Sequence, residues 1–222
     1  VKIQIYTMQT IDEALAVVEL GVDHIGITPG NSGLPGEVDF ATARAIVDAV
    51  GNSAVSVALS VESNLDAIET MVKAVHPDIL QLCGPENALL PDAVRTLQEC
   101  LPNLAIMQAI SVAGLEALDL ALEYQDVADY LILDTKSPEI TGIGASGETH
   151  DWNISREIVE QVQIPVILAG GLSPENVAEA ISVVQPWGVD SLTHTNRSLP
   201  NGGFRKDLER IHQFVIAAKG VS

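Results

Sequence analysis

A chain of 222 residues, 47% hydrophobic and 18% charged, is long enough to bury one large core, which excludes an intrinsically disordered protein. Thirty Asp and Glu against eleven Lys and Arg leave a net charge of −19, which repels polyanions and excludes nucleic acid and anionic membrane surfaces as partners. The longest apolar runs fall well short of the roughly 20 residues of a membrane span, and Cys83 and Cys100 form no framework of spacings, as expected for free thiols in a cytoplasmic protein.

Apolar runs predict eight strands, at Lys2–Tyr6, His24–Thr28, Ala54–Leu59, Ile79–Leu82, Ala105–Ile110, Tyr130–Asp134, Val166–Ala169 and Val189–Thr193. Between them lie segments of helical period such as Thr10–Leu20 and Pro174–Val184, the latter with Ser173 as predicted N-cap and Pro174 at the first helical position. Tyr130 to Leu133 and Pro165 to Ala169 are apolar at nearly every position, the signature of parallel strands covered on both faces. Eight βα units over residues 1–222 fit a single α/β domain, a (β/α)8 TIM barrel at the compact end of the ~250 residues usual for that fold. An open doubly wound sheet competes with it, but the turn after the first strand, Thr7-Met8-Gln9-Thr10, lacks the glycines expected there. Ala14–Thr28 and Ala178–Thr195 echo one another, each leaving a helix and entering a strand through Gly-Val-Asp, which predicts similar settings for strands 2 and 8.

Active sites of parallel barrels lie at the C-terminal ends of the strands, so the residues ending each strand are the candidates. Asp134 follows four apolar residues, a setting that raises a carboxyl pKa toward proton-transfer duty; the alternative is a carboxylate that anchors the next turn. Cys83 is either a nucleophile or base at the mouth, or a small buried hydrophobe. Gly170 and Gly171 open a turn whose free amides suit an anion, and Thr141 to Thr149, which includes Gly147, reads as a lid or as a plain connection. Gln4, Gln108, Thr193 and His194 end or line strands at the same mouth. Lys136 and Arg197 offer positive charge for an anionic group, with a solvent-facing role as the alternative. No metal-ligand spacing, Walker loop or dinucleotide fingerprint is present, so neither a metal nor a cofactor is expected.

The stretches DEALAVVELGVDHIGI, ILQLCG, LILDTKSPE, SGETHDW and PVILAGGLSPENVAEAISVVQPWGVD together resemble the phosphoribosylanthranilate isomerase family over nearly the whole chain. The resemblance implies an Amadori rearrangement of a phosphorylated aminoribose in tryptophan biosynthesis, with Asp134 on the family's general acid. It also implies a cysteine base on strand 1, where this chain has Gln4, an amide that cannot exchange a proton near neutral pH. At strand 4 Cys83 stands for the family's His and at strand 5 Gln108 for a frequent Lys, while Leu192-Thr193-His194 replaces a phosphate-binding Ser-Ser-Gly.

Three readings follow. The first is an isomerase acting on a small phosphorylated sugar derivative, with altered substrate or chemistry. The second is an epimerase, aldolase or decarboxylase on another anionic metabolite, and the third a non-catalytic binder of a phosphorylated ligand. Each expects a small anionic partner, no nucleic acid, no membrane, and a monomer or homodimer.

Overall fold

The computed structural model describes residues 1–85, 88–135, 143, 147–200 and 202–221, and in it the alternating segments close into a ring. Strands β1 (Lys2–Ile5), β2 (His24–Ile27), β3 (Val55–Ser60), β4 (Ile79–Leu82), β5 (Ala105–Ser111), β6 (Tyr130–Asp134), β7 (Val166–Leu168) and β8 (Gly188–Ser191) pair in parallel, each with the next, and β8 returns to β1. The intervening helices are α1 (Ile11–Glu19), α2 (Phe40–Val50), α3 (Leu65–Val75), α4 (Pro91–Cys100), α5 (Glu116–Tyr124), α6 (Trp152–Gln161), α7 (Val177–Val184) and, after β8, α8 (Leu208–Lys219). This is the (β/α)8 TIM barrel. Between β8 and α8 the chain adds an antiparallel hairpin, β9 (Asn196–Ser198) with β10 (Phe204–Lys206), which the apolar pattern did not predict.

Short polar side chains start the helices by accepting otherwise unpaired amides. Thr10, Asp39, Asn64, Asp151 and Asp207 cap α1, α2, α3, α6 and α8 in this way. Glu13 does more: one carboxylate oxygen accepts from the Gln9 amide at 2.9 Å and the other from the Lys206 amide at 2.7 Å, fastening the start of α1 to β10. The prediction for α7 is corrected. Asn176 holds the Ser173 amide at 2.8 Å and the Gly171 carbonyl at 3.1 Å, which folds 173–176 into its own turn, so the helix begins at Val177 and Ser173 serves that turn instead.

Period-2 alternation divides the strands between two cores. Ile3, Ile5, Ile25, Ile27, Leu80, Leu82, Leu131 and Leu133 face the helices; Tyr6, Val57, Ile79, Cys83, Met107, Ala109, Ile132 and Ile167 fill the barrel. Each fully buried Ile or Leu contributes about 1.5–3 kcal/mol. At the N-terminal end of the strands Asp23, Asp78 and Asp129 each accept a backbone amide from the preceding odd strand, from Ile3 at 3.0 Å, Ser56 at 2.8 Å and Ile106 at 2.8 Å. The Gly-Val-Asp echo is therefore broken. Asp23 precedes β2 as such a staple, whereas Asp190 lies inside β8, in register with Gln4 of β1.

Candidate active site

Alternation along β6 points Tyr130 and Ile132 into the barrel, and Asp134, the last strand residue, continues that inward row at the C-terminal mouth. Its Oδ1 accepts from the Thr135 amide at 2.7 Å, so it does anchor the following turn. It also lines a cavity, and burial pushes its carboxyl up to about 7 despite that hydrogen bond.

Across the same cavity stands Asp190, only 7% exposed, whose Oδ1 has no hydrogen-bond partner among the described residues. Burial, then the negative charge of Asp134, push its carboxyl up to about 8, while the Gln4 side-chain amide and the Lys206 ammonium act the other way. Sequence reading missed it because Gly-Val-Asp resembles a helix-to-strand joint. Its signal was a carboxylate two residues before Leu192 on the inward-facing row of β8.

The cavity is small, about 20 Å³, little more than one water needs. Its other walls are Gly147, Gly170, Gly171 and the turn from Ser191 to His194. Gly170 and Gly171 adopt φ of 82° and 61°, and a Cβ on Gly171 would lie 2.7 Å from the Glu148 carbonyl carbon. The returning leg of the β6–α6 connection thus lies directly on the glycine turn. His194 Nε2 sits 3.1 Å from the Gly147 carbonyl, and the Thr135 hydroxyl donates to the Glu148 carbonyl at 2.9 Å. With that hydrogen spent, Thr135 accepts from His150 Nδ1 at 3.1 Å, which leaves His150 Nε2 to accept from the Ser155 hydroxyl at 2.7 Å. Burial pushes His150 down to about 4, consistent with that neutral tautomer. Of the predicted lid, residues 141, 142 and 144–146 lie outside the described residues, as does Lys136. Ile143 is buried, its amide donating to the Cys83 carbonyl at 3.1 Å.

Deeper in the barrel a polar column replaces apolar filling. His24 Nδ1 lies 3.3 Å from Gln4 Oε1, Gln4 donates to Gln81 Oε1 at 3.4 Å, and Gln81 donates to Cys83 Sγ at 2.9 Å. Burial pushes the Cys83 thiol up to about 12, which makes it a poor base or nucleophile at neutral pH. Above the column the Tyr6 ring packs so closely on Gly26 that a Cβ there would come within 2.3 Å of it.

The remaining candidates are dispersed. Gln108 faces outward on β5 and lines a separate cavity of about 350 Å³ between the β4–α4 turn and α5, its Oε1 without a partner among the described residues. Parity is the reason: Met107 and Ala109 take the inward positions, so Gln108 does not reach the mouth. Arg197 lies on the exposed face of β9, its guanidinium paired with Asp207 at 2.9 Å, and borders a groove beside α1 and α8. Lys206, which sequence reading passed over, is only 5% exposed; its ammonium donates to the Tyr6 carbonyl and to Asn196 Oδ1 at 2.6 Å, and burial pushes it down to about 7. Among the described residues no three His, Cys, Asp or Glu side chains converge as metal ligands, and no helix is long and apolar enough to cross a membrane.

Two carboxyls withdrawn from water, both pushed above the ordinary carboxyl range, thus stand beside a glycine turn. Comparison with known proteins supplies the context. Residues 3–216 match the N-(5′-phosphoribosyl)anthranilate (PRA) isomerase family. An N-(5′-phosphoribosyl)anthranilate isomerase of Methanocella arvoryzae is 33% identical over 214 residues, 96% of each chain. The crystal structure of the phosphoribosyl anthranilate isomerase of Thermotoga maritima superposes with a TM-score of 0.83 at 28% identity, covering 99% of both chains. A further phosphoribosyl anthranilate isomerase structure, in complex with reduced 1-(o-carboxyphenylamino)-1-deoxyribulose 5-phosphate, gives a TM-score of 0.80 at 25% identity over 99% of both chains. The chain belongs to the N-(5′-phosphoribosyl)anthranilate isomerase family, a family of intramolecular isomerases.

Proposed function

We propose that residues 1–222 act as one barrel domain that isomerises a small phosphorylated aminoaldose to the corresponding aminoketose, with Asp134 as general acid. The observation that carries this reading is the Asp134 carboxyl at the C-terminal end of β6, lining the cavity beside the glycine turn, where burial pushes it up to about 7 and so toward proton-transfer duty. Opening the sugar ring needs a proton on the ring oxygen as the C1–O bond breaks, and a carboxyl of ordinary acidity would already have lost it.

The phosphate is assigned to the turn at Gly170 and Gly171, with Gly147, Thr193 and His194 opposite. No Lys or Arg lines that cavity among the described residues, so the anion would be held by amides and neutral donors and would displace the leg at 147–149 to enter. The analogue held by the related isomerase carries both a sugar phosphate and an aromatic carboxylate, which supports a ligand of this class. Gln4, Cys83 and the Leu192-Thr193-His194 turn set this mouth apart from the pattern described above, and we assign to them an altered substrate preference.

Complementation of a tryptophan-requiring strain that lacks its isomerase tests the reading, with Asp134→Asn and Gln4→Cys run beside the unmodified chain. Growth that depends on Asp134 supports the isomerase. Saturable binding of a phosphate ester with no turnover of any phosphorylated aminoaldose replaces it with a ligand-binding role.

A further inference from the structure

We infer that Asp190 is the proton acceptor that works with Asp134, the two carboxyls sharing a single proton in the resting barrel. The inference rests on the isomerase reading and names the group which that reading leaves open. An aldose-to-ketose rearrangement needs a base for the hydrogen on C2 as well as an acid for the ring oxygen. Cys83 is tied to Gln81 through its sulfur, and His194 places Nε2 on the Gly147 carbonyl. Asp190 lines the cavity with Asp134, is buried, keeps one oxygen without a partner among the described residues, and occupies the β8 position in register with Gln4.

Burial, then the charge of Asp134, drive Asp190 toward its protonated form, while the Gln4 amide and the Lys206 ammonium favour its carboxylate. When Asp134 holds the shared proton its repulsion vanishes, and burial alone is left to oppose those two groups. The other titratable groups coupled to the pair are Tyr6 from β1 and Cys83 from β4, both kept neutral by burial; His194 borders the cavity from the turn after β8.

The chemistry then closes on itself. Asp134 gives its proton to the ring oxygen as the C1–O bond breaks and the amine lone pair forms the C1=N bond. Asp190 accepts the proton from C2; the C2–H electron pair becomes the C1=C2 bond and the C=N pair returns to nitrogen, giving a neutral enolamine. Asp190 returns its proton to C1 while Asp134 takes the proton of the 2-hydroxyl, so the aminoketose forms and both carboxyls recover their starting states.

The test uses the full chain with N-(5′-phosphoribosyl)anthranilate as probe, comparing the unmodified protein with Asp190→Asn, Asp190→Glu and the pair Asp190→Asn with Gln4→Cys. Expected are a loss of about 10²- to 10⁴-fold in kcat for Asp190→Asn with KM changed little, disappearance of the acid limb of the kcat/KM profile, and partial return of activity in the glutamate and cysteine variants. A kcat within threefold of the unmodified protein, or a loss that leaves the acid limb in place, overturns the assignment. If the unmodified chain turns over no phosphorylated aminoaldose, the isomerase reading fails on its own, and carboxyl carbon NMR of the free protein judges the pair. Coupled titration, with Asp190→Asn lowering the pKa of Asp134, upholds the shared proton; independent titration removes it.

Discussion

Asp23, Asp78 and Asp129 stand at the N-terminal end of the barrel, Asp134 and Asp190 at or near the other, and all five are carboxylates on or beside parallel strands. Their partners separate them. Burial raises Asp23, but Lys2, the Ile3 amide and Lys219 more than offset it, and its carboxyl sits below the ordinary range. Asp78 receives both the amide and the hydroxyl of Ser56, at 2.8 Å and 2.7 Å. Among the described residues Asp134 has one amide, and Asp190 leaves an oxygen unpaired. A carboxylate given enough donors becomes a staple, whereas one that is buried and left short of donors keeps a proton to exchange.

The sharpest way to break this contrast is Asp134→Asn, expected to lower kcat by about 10²- to 10⁴-fold, roughly 3–5.5 kcal/mol of barrier, without loss of the unfolding midpoint. Turnover that survives would place proton transfer elsewhere. Gly171→Ala comes next: a left-handed φ and a Cβ 2.7 Å from the Glu148 backbone should cost about 3 kcal/mol in urea unfolding and displace the leg over the cavity.

The two ends should also titrate in opposite senses. The pair of Asp134 and Asp190 keeps its shared proton in the folded chain where the unfolded chain has released it, so stability falls as pH climbs from about 4 through the pair's raised titration at about 7 to about 8. Asp190→Asn should flatten that slope and add on the order of 2 kcal/mol at pH 9, read from denaturation midpoints. Asp23 is held below its unfolded value, so its contribution is present above about pH 4 and is lost as pH falls further; Asp23→Asn should flatten the acid side instead.

Asp78→Ala leaves the Ser56 amide and hydroxyl without their acceptor and should cost about 1–2 kcal/mol of stability while sparing turnover. The smallest effect is expected for Cys83→Ser, within threefold in kcat; a large loss there would restore the thiol as a base.

The fold was legible because strands covered on both faces must be apolar almost throughout, and all eight lie within one or two residues of their predicted positions. Asp134 was legible for a related reason, as a carboxylate closing an apolar run. Asp190 was not, since its sequence is shared with the joint before β2, and only register with Gln4 shows that it lies within β8. Gln108 was misplaced because β5 runs on to Ser111, and the parity of a strand cannot be set from its apparent last residue. Lys206 was passed over because a lysine after Gly202-Gly203 looks solvated until the β9–β10 pairing folds it under the chain.

The linked amides of Gln4 and Gln81 carry a lesson for anyone redesigning this barrel. Substituting either with a hydrocarbon side chain strands the other, and exchanging both removes their mutual bond but still leaves His24, Asp190 and Cys83 without the amides that face them. The axis of the molecule is therefore editable as one linked set, and a library that varies one position at a time would mistake a tolerant interior for a forbidding one.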